Sequence, residues 1–157
     1  KFGLKIAKIP DKEAEERAMS YLKKVNLASC RDYKVSQLSG GMKQRVAIAR
    51  ALALDSKAIL MDEPFAALDK QTKNILRDEL ERLWLSEKRT VVYVTHSVEE
   101  ALFFGDRVVM MSANPGVIKS VFTIDFPRPR HIDAPEFVKL RHDILADLRV
   151  EVERYEH

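Results

Sequence analysis

Apolar residues recur at helical spacing from Asp11 to Val25, where Ala14, Ala18, Tyr21, Leu22 and Val25 fall on one side. Pro10 and Asp11 mark the start of that helix, since a first-turn carboxylate suits the positive end of the helix dipole, and Lys23-Lys24 suit the other end. Asn26 to Val35 reads as a connection. A second helix is expected to begin at Gly41 or Met42 and to run to about Ala53, with Val46, Ile48, Ala49, Leu52 and Ala53 on its apolar face. The third, from Asp69 to about Glu87, carries Ile75, Leu76, Leu80, Leu83 and Trp84 on one side. A short helix is expected at Val98–Phe104. A last helix from Pro135 to about Tyr155 carries a stripe of Phe137, Val138, Leu140, Ile144, Leu145, Leu148 and Val152.

Between these helices the period changes. Ala58-Ile59-Leu60-Met61 is a short unbroken apolar run, and Thr90 to Thr95 is rich in β-branched residues. Both read as strands buried on two faces, as in a parallel sheet. Arg107–Met111 is a third strand. Val117–Phe126 follows the turn signal Asn114-Pro115-Gly116 and is expected to return antiparallel. Pro127-Arg128-Pro129-Arg130 reads as a stiff linker. Strand, helix, strand in repetition predicts an α/β fold with a right-handed parallel sheet and flanking helices.

At 157 residues and 46% hydrophobic content, the chain is long enough for one core. No apolar run approaches the roughly eighteen residues that cross a bilayer as a helix. The net charge of +3 is spread along the sequence rather than gathered into a basic face, which argues against a nucleic-acid partner. Cys30 is the one cysteine, so no internal disulfide is expected; it reads as structural and fits a reducing compartment. His131, His142 and His157 lack metal-ligand spacing and read as surface residues. The Lys and Arg residues of the last helix read as a solvated face, with contact to anionic lipid headgroups as the alternative.

Three short stretches carry candidate chemistry. Ser39-Gly40-Gly41 precedes a helix, where small residues let an anion approach the free N–H groups of the first turn. The plainer alternative is a helix cap by the Ser39 hydroxyl. Asp62 and Glu63 end a strand, and ligands of open α/β sheets bind beyond strand C-termini. Adjacent side chains there point different ways, so one can hold Mg²⁺ and the other a water. The alternative is negative charge for the helix after Pro64. His96 ends the next strand and suits a phosphate oxygen, or else is a structural histidine.

In combination these stretches resemble a known family. Leu38-Ser39-Gly40-Gly41-Met42-Lys43-Gln44-Arg45 is similar to the signature motif of ATP-binding-cassette (ABC) ATPases, and Ala58 to Glu63 to their Walker B strand with its catalytic glutamate. Ala67-Leu68-Asp69 resembles the D-loop and Thr95-His96 the switch histidine. The wording after the glycines (MKQR), the EPF before the D-loop, the tail from Phe126 and Phe2-Gly3-Leu4 resemble one subgroup. That subgroup is the ATPase subunits of nitrate, sulfonate, taurine and bicarbonate importers. Ala66 departs from it, since a glycine is usual there.

The five glycines, Gly3, Gly40, Gly41, Gly105 and Gly116, do not form the P-loop pattern GxxxxGK[ST]. The resemblance therefore implies the C-terminal portion of a cassette without its Walker A region. It implies a partial P-loop NTPase-type sheet in three parts: the end of a helical subdomain with the signature (residues 1–54), the α/β core (55–126), and a linker with a C-terminal helix (127–157). It also implies ATP and Mg²⁺ as ligands. Ser39, Gly40, Gly41 and Asp69 would contact nucleotide across a dimer interface, Asp62 would order the metal, and Glu63 and His96 would be catalytic. Implied partners are a second ATPase subunit, identical or paired, and transmembrane permease subunits. The implied location is cytoplasmic, on the inner face of the cell membrane. Alone, the chain is expected to be inactive and to expose apolar surface that self-association or a missing half would cover. The rivals are an ABC ATPase of the DNA-repair and chromosome class, which needs a long heptad helix before the signature, and a non-catalytic interaction module.

Overall fold

A computed structural model describes residues 2–87 and 89–153, except the side chain of Val152. The expected end of the last helix at Tyr155 and the surface reading of His157 lie outside the described residues. The elements are α1 (Phe2–Ile6), α2 (Asp11–Lys24), α3 (Gly40–Ala53), β1 (Ala58–Asp62), α4 (Lys70–Glu87), β2 (Thr90–Val94), α5 (Val98–Phe104), β3 (Arg107–Met111), β4 (Ile118–Thr123) and α6 (Pro135–Glu153). Helix α1 and two short 3₁₀ turns in the connection, Ala28–Cys30 and Val35–Gln37, are additions to the sequence reading. They are too short for a periodic pattern to reveal. β1 and β2, joined through α4, are neighbours in a parallel sheet, and β3 pairs with β4 in a second sheet. The chain divides into two compact units, residues 1–92 and 93–157.

In the first unit α1, α2 and α3 pack around Leu4, Ala14 and Ala53, with Ile9, Ala18 and Tyr21 at the edge. Small residues at Ala14 and Ala53 let the helices approach closely. Ala49 is buried on that same side of α3, and elsewhere Ile48 and Leu52 of α3 are buried, as are Ile59 and Met61 of β1, Phe65, and Leu76, Leu80 and Leu83 of α4. The two strands are not buried on both faces. β1 alternates exposed and buried, with Leu60 72% exposed, and Val92 and Val94 of β2 are also open. The apolar runs are those of doubly covered strands, but the described residues cover one face. That open surface agrees with the expectation of exposed apolar area.

Among the described residues of this unit, three chain reversals use a left-handed residue after a helix: Lys8 (φ 56°), Asn26 (φ 58°) and Asp55 (φ 55°). Such a residue ends a helix by turning its last carbonyls toward new donors. A polar cluster then ties α2 to the end of α4. The Tyr21 hydroxyl donates to Glu87 at 3.0 Å, Lys24 pairs with the same carboxylate, and Arg89 reaches Glu87 at 3.1 Å and Asp55 at 2.8 Å. Arg89 also donates to the Ser56 carbonyl at 3.1 Å.

In the second unit β3 and β4 are antiparallel, as expected, with Arg107 opposite Thr123 and Val109 opposite Val121. Phe103 and Phe104 of α5, Ile124, and Phe137 and Ile144 of α6 form its core. The Phe104 ring stacks on Tyr93 at 5.0 Å and meets Phe103 edge-on at 5.1 Å. Only part of the expected α6 stripe is covered: Val138 and Leu145 are exposed, while Glu151 is buried and paired with Lys119 at 3.2 Å. The linker does more than connect. Arg130, 5% exposed, donates to the Leu102 and Phe103 carbonyls at 2.7 and 3.1 Å, and Arg128 donates to Phe103 at 3.1 Å. Two guanidiniums thus satisfy the C-terminal carbonyls of α5, whose negative dipole end favours them.

The Tyr21–Glu87 cluster predicts a pH dependence. Burial alone would push the Glu87 carboxyl up, but hydrogen bonds from Lys24, Tyr21 and Arg89 outweigh it and hold it below the ordinary carboxylate range. A folded-state value below the unfolded one stabilises above the unfolded pKa, about 4.3, and that stabilisation is lost as pH falls through the lower folded value. Glu87→Gln is therefore expected to be less stable than the wild type at pH 7. Urea midpoints measured from pH 7 to pH 3 should show that difference narrowing, because protonated Glu87 and glutamine are alike; a constant gap would refute it.

Candidate functional site

The signature turn is built by the start of α3. Ser39 is the N-cap, and its hydroxyl oxygen accepts the Met42 N–H at 3.3 Å. Its carbonyl accepts the Lys43 N–H at 2.9 Å. The capping alternative is thus realised, yet it leaves the Gly40 and Gly41 N–H groups, which as first-turn donors lack intrahelical partners. Gly40 begins the helix, one or two residues earlier than the sequence suggests.

The two glycines differ in what a side chain would meet. A β-carbon on Gly41 would lie 2.8 Å from the Thr72 methyl of α4, so this glycine is needed for the close approach of α3 to α4. At Gly40 the nearest atom is a Leu68 methyl at 3.8 Å, an ordinary contact. Neither adopts positive φ. Gly41 therefore serves packing, whereas Gly40 is exposed with room for a side chain.

Asp62 is the last residue of β1, and both it and Glu63 are exposed. Glu63 has φ 41°, the left-handed region, and unlike Lys8, Asn26 and Asp55 it does not follow a helix. An ordinary side chain there costs about 1–2 kcal/mol. Such strain persists where surrounding structure imposes it, often at functional positions. Phe65, fully buried, lies two residues on. The Ala66 N–H closes the turn on the Glu63 carbonyl at 3.2 Å. Ala66 itself is not left-handed, so the alanine stands there without the strain that would demand glycine.

Asp69 precedes α4, and its carboxylate accepts the Thr72 N–H at 2.9 Å. Hydrogen bonds from the backbone and side chain of Thr72 hold its carboxyl below the ordinary range. The same Thr72 meets Gly41, so the D-loop cap and the signature turn share one contact residue. Arg45 of α3 pairs with Glu79 of α4 at 3.1 Å, and Asn26 donates to Glu79 at 3.3 Å. Sequence reading missed Arg45, Glu79 and Thr72 as supports. Arg45 stands inside the signature, four residues after Gly41, which was the available signal.

The first unit thus holds Ser39, Gly40, Gly41, Asp62, Glu63 and Asp69. His96 belongs to the second, two residues beyond β2, with an exposed side chain. Ser97 follows as the N-cap of α5, accepting the Glu100 N–H at 3.3 Å. No group of three or more His, Cys, Asp or Glu residues forms a metal cage among the described residues. Mg²⁺ commonly takes one or two carboxylates with phosphate and water rather than an all-protein shell. An exposed Asp62 at a strand end fits that donor set. No helix among the described residues is long and apolar enough to cross a membrane.

Known proteins bear on this geometry. Residues 3–66 match the family model described as ABC transporter. The ABC transporter ATP-binding protein MJ0412 of Methanocaldococcus jannaschii is 52% identical over 96% of this chain and 57% of its own. The bicarbonate transport ATP-binding protein CmpD of Synechococcus elongatus is 44% identical over 83% of this chain and 49% of its own. Among solved structures, the ADP conformation of MJ1267, an ATP-binding cassette of an ABC transporter, superimposes with a TM-score of 0.57 at 28% identity, covering 64% of this chain and 39% of that one. The chain belongs to the ABC transporter ATP-binding family. It spans about half the length of the curated relatives it matches.

The glycine contrast gives a test. Gly40→Ala should leave the urea midpoint near wild type, because the space is open and alanine is the better helix former. Gly41→Ala should destabilise by about 1–3 kcal/mol, the usual range for overpacking. Equal losses at both positions would contradict the division between an open glycine and a packing glycine.

Proposed function

We propose that this chain supplies the signature and Walker B portion of the ATP-hydrolysing subunit of an importer for small anions, of the nitrate, sulfonate, taurine or bicarbonate kind. The observation that carries the reading is the Asp62–Glu63 pair: two exposed carboxylates at a strand's C-terminal end, the second in a left-handed backbone two residues before a fully buried phenylalanine. The similarity to CmpD supports the importer kind.

In this reading ATP is the substrate, and Asp62 would hold Mg²⁺. The metal supplies neutralisation of phosphate charge. Glu63 orients the attacking water and accepts its proton. His96 donates to a γ-phosphate oxygen. Ser39 and the N–H groups of Gly40 and Gly41 donate to the γ-phosphate of a nucleotide held by a second ATPase subunit, identical or paired, and Asp69 lies at the interface between them. The functional parts follow residues 1–54, 55–126 and 127–157. Permease subunits complete the transporter, so the protein works from the cytoplasmic side as a peripheral subunit at the inner face of the cell membrane. The rival coiled-coil class is disfavoured, since the helix ahead of the signature, α2, has 14 residues and packs on α3.

Turnover measurements test the reading. The 157-residue polypeptide alone, with no GxxxxGK[ST], should hydrolyse no Mg-ATP. Assembled with a P-loop-bearing segment it should turn over, and Glu63→Gln should then lower kcat at least about 100-fold, the scale of a positioned general base. Turnover by the polypeptide alone that Glu63→Gln abolishes would refute the first expectation. Assembled turnover indifferent to Glu63→Gln would refute the role of Glu63.

A further inference from the structure

Glu100, on the first turn of α5, is 6% exposed, yet it carries a carboxylate. One of its oxygens accepts two hydroxyl protons, from Tyr93 at 3.0 Å and from Thr95 at 2.9 Å. A carboxylate only accepts, so the direction of both bonds is fixed. The Thr95 hydroxyl has one proton and gives it to Glu100. Its lone pair then faces the Ser97 N–H, which donates to it at 3.0 Å. Ser97 in turn accepts the Glu100 N–H through its own hydroxyl at 3.3 Å. The residues before and after His96 are thereby tied to the first turn of α5 by a closed circuit with Glu100 at both ends. His96 itself stays exposed.

A bare helix cap at Ser97 needs only its hydroxyl and the Glu100 N–H. It does not need a buried carboxylate, whose removal from water is costly unless hydrogen bonds satisfy it. The packing around the circuit is rigid as well: the Tyr93 ring stacks on Phe104, and burial, followed by the charge of Glu100, pushes the Tyr93 phenol well above its ordinary value. Tyr93 is thus a fixed donor at neutral pH. Side chains that meet a ligand work best when a second layer of hydrogen bonds locks them in place.

We propose that Glu100 is a positioning residue for His96, acting through Thr95 and Ser97 to hold the backbone from which the imidazole projects. The catalytic consequence rests on the reading of His96 as a γ-phosphate ligand; the positioning does not. A donor locked in place saves reorganisation in the transition state and adds little to ground-state binding. Loss of Glu100 is therefore expected to appear in kcat rather than in KM for ATP.

Two measurements test this. In the full 157-residue chain, Glu100→Leu is expected to shift the His96 imidazole NMR signals and to speed exchange of the Ser97 amide at least about tenfold, on the scale of one lost hydrogen bond. Thr95→Val, which removes one hydroxyl and no charge, should do the same should the leucine variant fold poorly. Glu100→Gln keeps an acceptor oxygen and should restore most of both signals. In the ATPase assembled with its P-loop-bearing segment, Glu100→Leu should lower kcat about tenfold or more, with KM for ATP within about twofold, roughly the loss of one preorganised contact. Unchanged His96 signals and Ser97 exchange in both Glu100→Leu and Thr95→Val would overturn the proposal. So would a kcat that falls in His96→Ala and not in Glu100→Leu. If His96→Ala leaves turnover intact while Glu100→Leu still shifts the His96 signals, positioning stands and the catalytic reading of His96 fails.

Discussion

The first unit depends on how closely the start of α3 lies against the start of α4. Gly41 meets the Thr72 methyl where any β-carbon would stand 2.8 Å from it. Thr72 also donates its N–H to Asp69, so one residue sets both the approach of the signature turn and the cap of the following helix. About one turn further along α3 and two along α4, Arg45 and Glu79 hold the same pair of helices together. Without the small residue at 41 the helices would separate, and the Gly40 and Gly41 N–H groups would shift relative to Asp69 and the end of β1.

Within each unit the charged groups divide between covered and exposed ones. Glu87, Arg89, Glu79 and Glu100 are largely covered and satisfied by hydrogen bonds or ion pairs. Asp62, Glu63, Asp69 and His96 are exposed. Buried ions need partners to offset their desolvation, so their positions are fixed by the fold. Exposed ones keep their contact with water and need no such partners. The left-handed residue Glu63 falls on the exposed side of that division, two residues before the buried Phe65.

Much of the element order was legible. The helices at Asp11, Val98 and Pro135 and the strand Arg107–Met111 begin where the periodicity places them, because each combines a clear period with a start signal. The strand after Asn114-Pro115-Gly116 is antiparallel but shorter than its apolar composition suggests. Arg128 and Arg130 read as a linker beside two prolines. Nothing local reveals that their guanidiniums reach back more than twenty residues to carbonyls of α5. Burial of the strands misled for the opposite reason: Leu60, Val92 and Val94 have the composition of a covered sheet, and no described residues cover that face.

What the sequence determined by itself was chemistry in order along the chain: a Ser-Gly-Gly helix start, two carboxylates at a strand end, an aspartate at the start of the next helix and a histidine at the end of the next strand, which the structure ends two residues earlier. Residue type and local spacing carry that information, because caps, strand ends and motif identity are settled within a few residues. Only the tertiary structure decided which glycine is for packing and which is open, which glutamates are buried supports, and that Glu63 is strained. Those distinctions arise from atoms brought together across long sequence separations. A 2.8 Å approach between α3 and α4, or a carboxylate enclosed by the hydroxyls of Tyr93 and Thr95, has no counterpart in a one-dimensional pattern.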